Sequence, residues 1–89
     1  MNKEGRKVIE EIAAFLGSIK ESIGEIASSI ETLAEAEREK FENMPESMQY
    51  AEKGEAIERA ADALENAYGA LDLEAEIDGV IGYLEEACE

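Results

Sequence analysis

Carboxylates are the only abundant side chains in this chain that could do chemistry. The 89 residues include 23 Asp and Glu, no His and a single cysteine, Cys88. Nucleophilic and acid–base catalysis need a base held beside a nucleophile, and no such arrangement is present. No glycine-rich phosphate loop occurs either. The composition therefore predicts a protein that is not an enzyme and binds no cofactor.

One group of carboxylates has the spacing of a metal site. The stretch "EAEIDGVIGYLE", residues 74–85, resembles a calcium-binding EF-hand loop, with Glu74, Glu76 and Asp78 at its first, third and fifth positions and Glu85 at its last. The first ligand of such a loop is normally Asp, and here it is Glu. The same stretch also fits a helical pattern. We therefore expect a helix surface here and no metal site.

Negative charge is concentrated in the second half of the chain. Residues 1–42 carry six basic and ten acidic side chains, residues 43–89 carry two and thirteen, and the net charge is −15. Such a surface repels nucleic acid and anionic lipid and attracts basic partners. The sequence predicts no direct binding to nucleic acid or membrane. The candidate partner-binding carboxylates follow Arg59, the last basic residue: Asp62, Glu65, Asp72, Glu74, Glu76 and Asp78.

Nothing in the first turns of the chain has the pattern of a secretory signal. Glu10 and Glu11 interrupt any apolar run after the first basic residues, and no apolar stretch approaches the ~20 residues of a membrane span. One cysteine cannot form an internal disulfide, which fits a reducing compartment. We expect a cytoplasmic protein.

A heptad stripe of apolar residues runs through the first half. Its spacing of alternately three and four residues predicts one helix over about residues 3–42, with Asn2 as its cap and Pro45 unable to continue it. The residues on both flanks of the stripe are mostly small and uncharged, which favours a bundle over a two-stranded coiled coil. The stripe is the predicted dimer core: Ile9, Ile12, Leu16, Ile19, Ile23, Ile26, Ile30 and Leu33.

The second half has two shorter stripes that are offset from each other by two residues. One runs from Ile57 to Ala75 and the other from Leu73 to Ala87. Either one helix shifts its buried face, or two helices meet near Gly69–Asp72. Because no proline or polar cluster marks a loop there, the sequence favours one kinked helix over about residues 55–88.

The corner, residues 43–54, contains the only proline and separates the two halves. Proline suits the first turn of a new helix, so "NMPES" predicts the end of one helix and the start of the next. Met44, Met48 and Tyr50 lie around it. They either seal the open end of a helical hairpin or form an adaptable contact patch for a partner.

Together these features predict an all-α fold in a single domain, residues 1–89. It is a long helical hairpin with heptad packing, and two copies are expected to form a four-helix bundle, because one hairpin cannot cover such wide apolar faces.

The corner and the helix after it also resemble a family. From Glu35 to Ala87 the chain is similar to short acidic proteins encoded by phages and prophages of Gram-positive bacteria, whose signature is an aromatic residue, "NMPES-Q" and a charged "GE" segment. The matching residues are Phe41, Asn43, Met44, Pro45, Glu46, Ser47, Gln49, Gly54 and Glu55. The resemblance implies a helical hairpin and a viral origin, hence the cytoplasm of an infected or lysogenic host. It implies no activity.

Two functions fit these observations. In the first, the acidic homodimer mimics nucleic acid and inhibits a basic host defence protein, such as a CRISPR effector or a restriction enzyme. In the second, it is a small coiled-coil structural or assembly factor that packs on another phage protein, and its acidity serves solubility. Screening by salt weakens the first kind of binding and not the second.

Overall fold

The computed structural model describes every residue, Met1–Glu89, and contains helices and turns but no strand. The all-α fold and the long first helix are thus confirmed. None of the helices combines the length and apolar composition that a membrane crossing requires. The four helices are α1 (Lys3–Glu42), α2 (Glu46–Gln49), α3 (Glu52–Ala70) and α4 (Leu73–Ala87).

The ends of α1 follow from local chemistry. Asn2 caps the first turn, since its side-chain oxygen accepts a hydrogen bond of 2.7 Å from the backbone N–H of Gly5. At the other end the chain leaves the helix before Pro45, which occupies the N-cap position of α2 with φ −57° and ψ 146°. The carbonyl of Pro45 accepts hydrogen bonds from the N–H groups of Met48 and Gln49. The corner therefore contains a single helical turn of its own.

The favoured single helix over residues 55–88 is wrong, because the structure divides this region into α3 and α4. Leu71 ends α3 with φ −81° and ψ 92°, and Asp72 precedes α4 with φ −113° and ψ 18°. The physical reason is the offset between the two apolar stripes. In a continuous helix, an apolar stripe that shifts by two residues points away from the neighbouring helix after the shift. One residue in an extended conformation instead lets the next helix begin with its own stripe turned toward that neighbour.

The helices form two compact units. The first unit comprises Met1–Glu25 and Asp72–Glu89, and the second comprises Ile26–Leu71. In the first unit the start of α1 is antiparallel to α4, because Lys20 contacts Asp78 and Gly24 lies against Glu74. In the second unit the end of α1 is antiparallel to α3.

The buried side of α1 contains half of the predicted heptad stripe. Ile23 is 9% exposed and Ala34 5%, and their side of the helix carries an inner stripe of buried and half-buried residues. On α3, Ala61 is fully buried. The inner stripe consists of Ile9, Ala13, Leu16, Lys20, Ile23, Ala27, Ile30 and Ala34.

The other half of the predicted dimer core is exposed within the single chain. Ile12, Ile19, Ile26 and Leu33 lie on a neighbouring face of α1 that neither α3 nor α4 covers. With their exposed neighbours they form an outer stripe, each member one position before a member of the inner stripe. It consists of Val8, Ile12, Phe15, Ile19, Ser22, Ile26, Ser29 and Leu33.

Two glycines inside α1 do not admit a neighbouring backbone. A β-carbon on Gly17 would meet nothing within 4 Å, and one on Gly24 would meet only the carboxylate of Glu74, at 3.1 Å. Both positions could therefore hold alanine with little or no rearrangement, and their glycines are not explained by close packing.

Candidate functional site

An acidic groove runs along the second unit. It encloses about 280 Å³ between α1 and α3. Successive turns of α1 contribute glutamates because their positions, three or four apart, share one side of the helix. The groove is lined by Glu31, Ala34, Glu35, Arg38, Glu39, Glu42, Glu65 and Tyr68.

Arg38 is the only cation of this groove, and it is already engaged. Its Nε and Nη2 donate to the two carboxylate oxygens of Glu65 at 3.0 and 3.1 Å, and Nη2 also donates to Asp62 at 2.6 Å. These hydrogen bonds, that of Glu65 first, raise the pKa of the Arg38 guanidinium, which is charged at any ordinary pH. This two-pronged pairing joins α1 to α3.

The four α1 glutamates of the groove form no ion pair within the chain. They offer negative charge to a visiting side chain. A lysine or arginine is the side chain that such a surface attracts.

The carboxylates that the sequence predicted for partner binding fall into two groups in the structure: those paired with a cation of the chain and those without such a partner. Asp62 and Glu65 hold Arg38. Asp78 accepts a hydrogen bond of 2.7 Å from Lys20, and this bond is the main cause of the raised pKa of the Lys20 ammonium. Glu74 is half-buried beside Gly24, whereas Asp72 and Glu76 are exposed. Three of the six thus pair with cations of the chain itself.

The corner is held by a side chain whose role the sequence analysis missed. Gln49 donates both of its amide hydrogens, one to the carbonyl of Phe41 at 3.0 Å and one to the carbonyl of Met44 at 3.1 Å. Carbonyls at the end of a helix lack partners within the helix, so Gln49 acts as a cap for α1. The signal was present as the glutamine of the "NMPES-Q" pattern.

Gly54 allows the start of α3 to lie close to α2. A β-carbon there would be 2.6 Å from the carbonyl oxygen of Gln49 and closer still to that of Met48. Real β-carbons do not approach backbone oxygen so closely. The glycine of the "GE" pattern is therefore a packing requirement of the corner.

The three residues proposed as a contact patch differ in exposure. Met44 is half-buried, Met48 is exposed, and Tyr50 is 76% exposed. Met44 and Met48 line a cavity of about 500 Å³ that also includes Lys40, Lys53 and Ile57. Met44 fits the sealing role, whereas Tyr50 contributes little to the seal.

The helix surface expected over residues 74–85 is confirmed, because these residues lie inside the continuous helix α4. The calcium-loop alternative is wrong, since an EF-hand loop is not helical. Glu74, Glu76, Asp78 and Glu85 follow the helix surface instead. No group of three or more possible metal ligands exists in the structure.

The groove glutamates on α1 were not singled out from the sequence, which drew attention to the more acidic second half. Their signal was the i, i+4 spacing of Glu31, Glu35 and Glu39 on the side of α1 away from its apolar face.

Comparison of the chain with protein-family models, with curated proteins and with solved structures gave no significant match. The similarity of the corner to phage-encoded proteins therefore stays a prediction.

Proposed function

We propose that this protein is a non-catalytic, phage-type binding protein whose acidic groove engages a basic surface of a host defence protein in the cytoplasm. Two copies assemble into a four-helix bundle and present the groove on its exterior. The target surface is one that normally binds nucleic acid, such as the channel of a CRISPR effector or a restriction enzyme.

One observation carries the proposal: four glutamates line one groove and have no cation of their own, in a chain of net charge −15. Charge that is already paired inside the chain is less available to a partner. The groove therefore replaces Asp62 and Glu65 as the favoured contact region, since these two hold Arg38.

Substituting lysine at Asp62, Glu65, Glu74 and Glu76 is consequently a poor test. Two of these changes would place lysine beside Arg38 and damage the second unit. A better variant neutralises three unpaired groove residues, as Glu35→Gln, Glu39→Gln and Glu42→Gln.

A matched control carries the same change in charge in the first unit, as Glu10→Gln, Glu11→Gln and Glu21→Gln. These three residues are also exposed and lie outside the groove. Binding to a candidate RNA-guided nuclease or restriction enzyme is measured in competition with guide RNA or duplex DNA. We expect about tenfold weaker binding for the groove variant and at most a small change for the control, because each exposed charge pair contributes up to ~1 kcal/mol.

Binding should weaken as salt rises, and nucleic acid should compete for the target. If both triple variants bind equally well and nucleic acid does not compete, charge mimicry is wrong.

A second function, assembly on another phage protein, is supported by the exposed outer stripe of α1. Large apolar side chains on a surface mark protein contacts when they lie together. Such binding would persist at high salt, and its affinity would be the same for the groove variant as for the wild type.

A further inference from the structure

The outer stripe of α1 is an apolar surface without a partner inside the chain. Phe15 is 69% exposed and Ile26 53%, although both recur at the spacing of packed heptad positions. None of its eight members, from Val8 to Leu33, is charged, in a chain where 35% of residues are.

In each unit, the helix that packs on α1 has a side face next to the outer stripe. Each residue of an α-helix is turned by ~100° from the one before, so the positions that precede the buried ones form a side face. In an antiparallel pair these two side faces lie on the same side. On α4 that face carries Leu73, Glu76, Val80, Tyr83 and Ala87, and on α3 it carries Lys53, Ala56, Ala60, Ala63, Ala67 and Ala70.

The chain as a whole exposes more surface than a monomeric protein of its mass. The chain exposes 6523 Å², whereas a monomeric protein of 9.7 kDa is expected to expose about 5,100 Å². The excess of about 1,400 Å² exceeds the ~800 Å² that each partner buries in a standard interface.

We propose that the outer stripe binds the same stripe of a second copy in antiparallel orientation, with the two-fold axis between residues 20 and 21. This deepens, and rests on, the self-association in the proposed function, and it replaces the full heptad stripe as the dimer contact.

The register follows from side-chain size. With the axis at this position, residues whose numbers add to 41 face each other across the two copies. Small residues then meet large ones: Ser22 faces Ile19 and Ser29 faces Ile12. Phe15 faces Ile26, and Val8 faces Leu33. A two-fold axis makes every one of these contacts occur twice, and alternating sizes fill the space between the helices.

The acidic groove lies on the other side of the second unit and stays open.

The first experiment tests the surface with a matched pair of charges. Ile26→Asp adds a carboxylate within the outer stripe, and Ser28→Asp adds one nearby on α1, off the stripe and also exposed in the single chain. Sedimentation equilibrium gives the dimer dissociation constant, and circular dichroism monitors helix content.

Each of the two symmetric sites should lose about 30-fold in affinity, which is the cost of removing an interface anchor. Ile26→Asp should therefore weaken the dimer about 1,000-fold and keep the helices, while Ser28→Asp stays dimeric. A wild-type monomer at 100 µM, or an Ile26→Asp variant that dimerises normally, overturns the proposal.

The second experiment tests orientation with spin labels in a Cys88→Ser background. Ser18→Cys and Thr32→Cys occupy the same heptad position, two heptads apart. In the antiparallel dimer the two labels at residue 18 are offset by ~7.5 Å along the helix axis and those at residue 32 by ~35 Å. Equal distances at both sites would indicate a parallel pair and overturn the proposal.

Salt separates this proposal from the proposed function. Two copies of charge −15 repel each other, so screening should tighten the dimer, whereas the same salt should weaken binding to a basic target. A dimer without target binding contradicts only the proposed function. Target binding by a protein that stays monomeric contradicts the antiparallel dimer and the self-association on which it rests, but leaves the proposed role of the acidic groove standing.

Discussion

Replacing Gly54 with alanine should destabilise the protein, although the same change at an open helical position such as Gly79 should stabilise it. The added β-carbon would lie 2.6 Å from the carbonyl oxygen of Gln49 and 2.7 Å from its Cα, and nearer still to the carbonyl of Met48. Ordinary contacts for a β-carbon are 3.4–4 Å. All three obstacles are backbone atoms, so α2 as a whole must move by close to 1 Å.

The size of the effect follows from two opposing terms. Forcing an extra methyl group into a packed site costs about 1–3 kcal/mol, and the upper part of that range applies because no flexible side chain can yield. Alanine returns at most ~1 kcal/mol through its helix propensity. We expect a net loss of about 1–2 kcal/mol, which for a domain of this size lowers the melting temperature by roughly 5–15 °C.

Gly79→Ala is the matched control. Gly79 lies inside α4, and a β-carbon there would meet nothing within 4 Å, so the propensity gain should appear alone as about 0.5–1 kcal/mol of added stability. Thermal melts and urea titrations followed by circular dichroism measure both variants. If Gly54→Ala melts at or above the wild type, the close approach of α3 to α2 does not exist and the account of the corner fails.

Three further changes test other contacts. Gln49→Ala should cost about 1–2 kcal/mol in urea titrations, because two partly buried hydrogen bonds to the end of α1 are lost; an unchanged midpoint would show that water replaces the cap. Pro45→Ala should cost about 1 kcal/mol or less, because the proline only presets φ and its carbonyl bonds survive the change; a loss of several kcal/mol would contradict this. The raised pKa of Lys20 beside Asp78 stabilises the folded state below the unfolded pKa of about 10.4, and this contribution should disappear as pH rises through the folded pKa. Lys20→Gln should lack that alkaline loss in melts between pH 9 and pH 12, and an identical profile in the variant would exclude the ion pair as its cause.

Local signals were sufficient to predict the first helix. A strict three-and-four spacing over four heptads has no use in a strand, Asn2 supplies the cap oxygen, and Pro45 cannot extend the helix. Each of these depends on residues within a few positions of one another, so it can be seen in the sequence. The all-α class follows for the same reason.

The sequence did not determine whether α3 and α4 are one kinked helix or two helices. The offset of two residues near Gly69 allowed either a kink or a true end, and no turn residue decided between them. The choice depends on which surfaces of α1 the two helices cover, because only packing makes it favourable to reset the buried face at Leu71.

The same distinction applies to the site. The sequence identified a surplus of carboxylates, but pairing across helices decides which of them stay available: Arg38 reaches Asp62 and Glu65 only when α3 folds back on α1. The sequence also could not divide the apolar face of α1 into an inner and an outer stripe, since the isoleucines of both stripes have similar neighbours along the helix. Whether a residue is buried depends on which helix packs against it. Ile23 and Ile26 are three positions apart in α1, and the tertiary structure alone determined which of the two is covered.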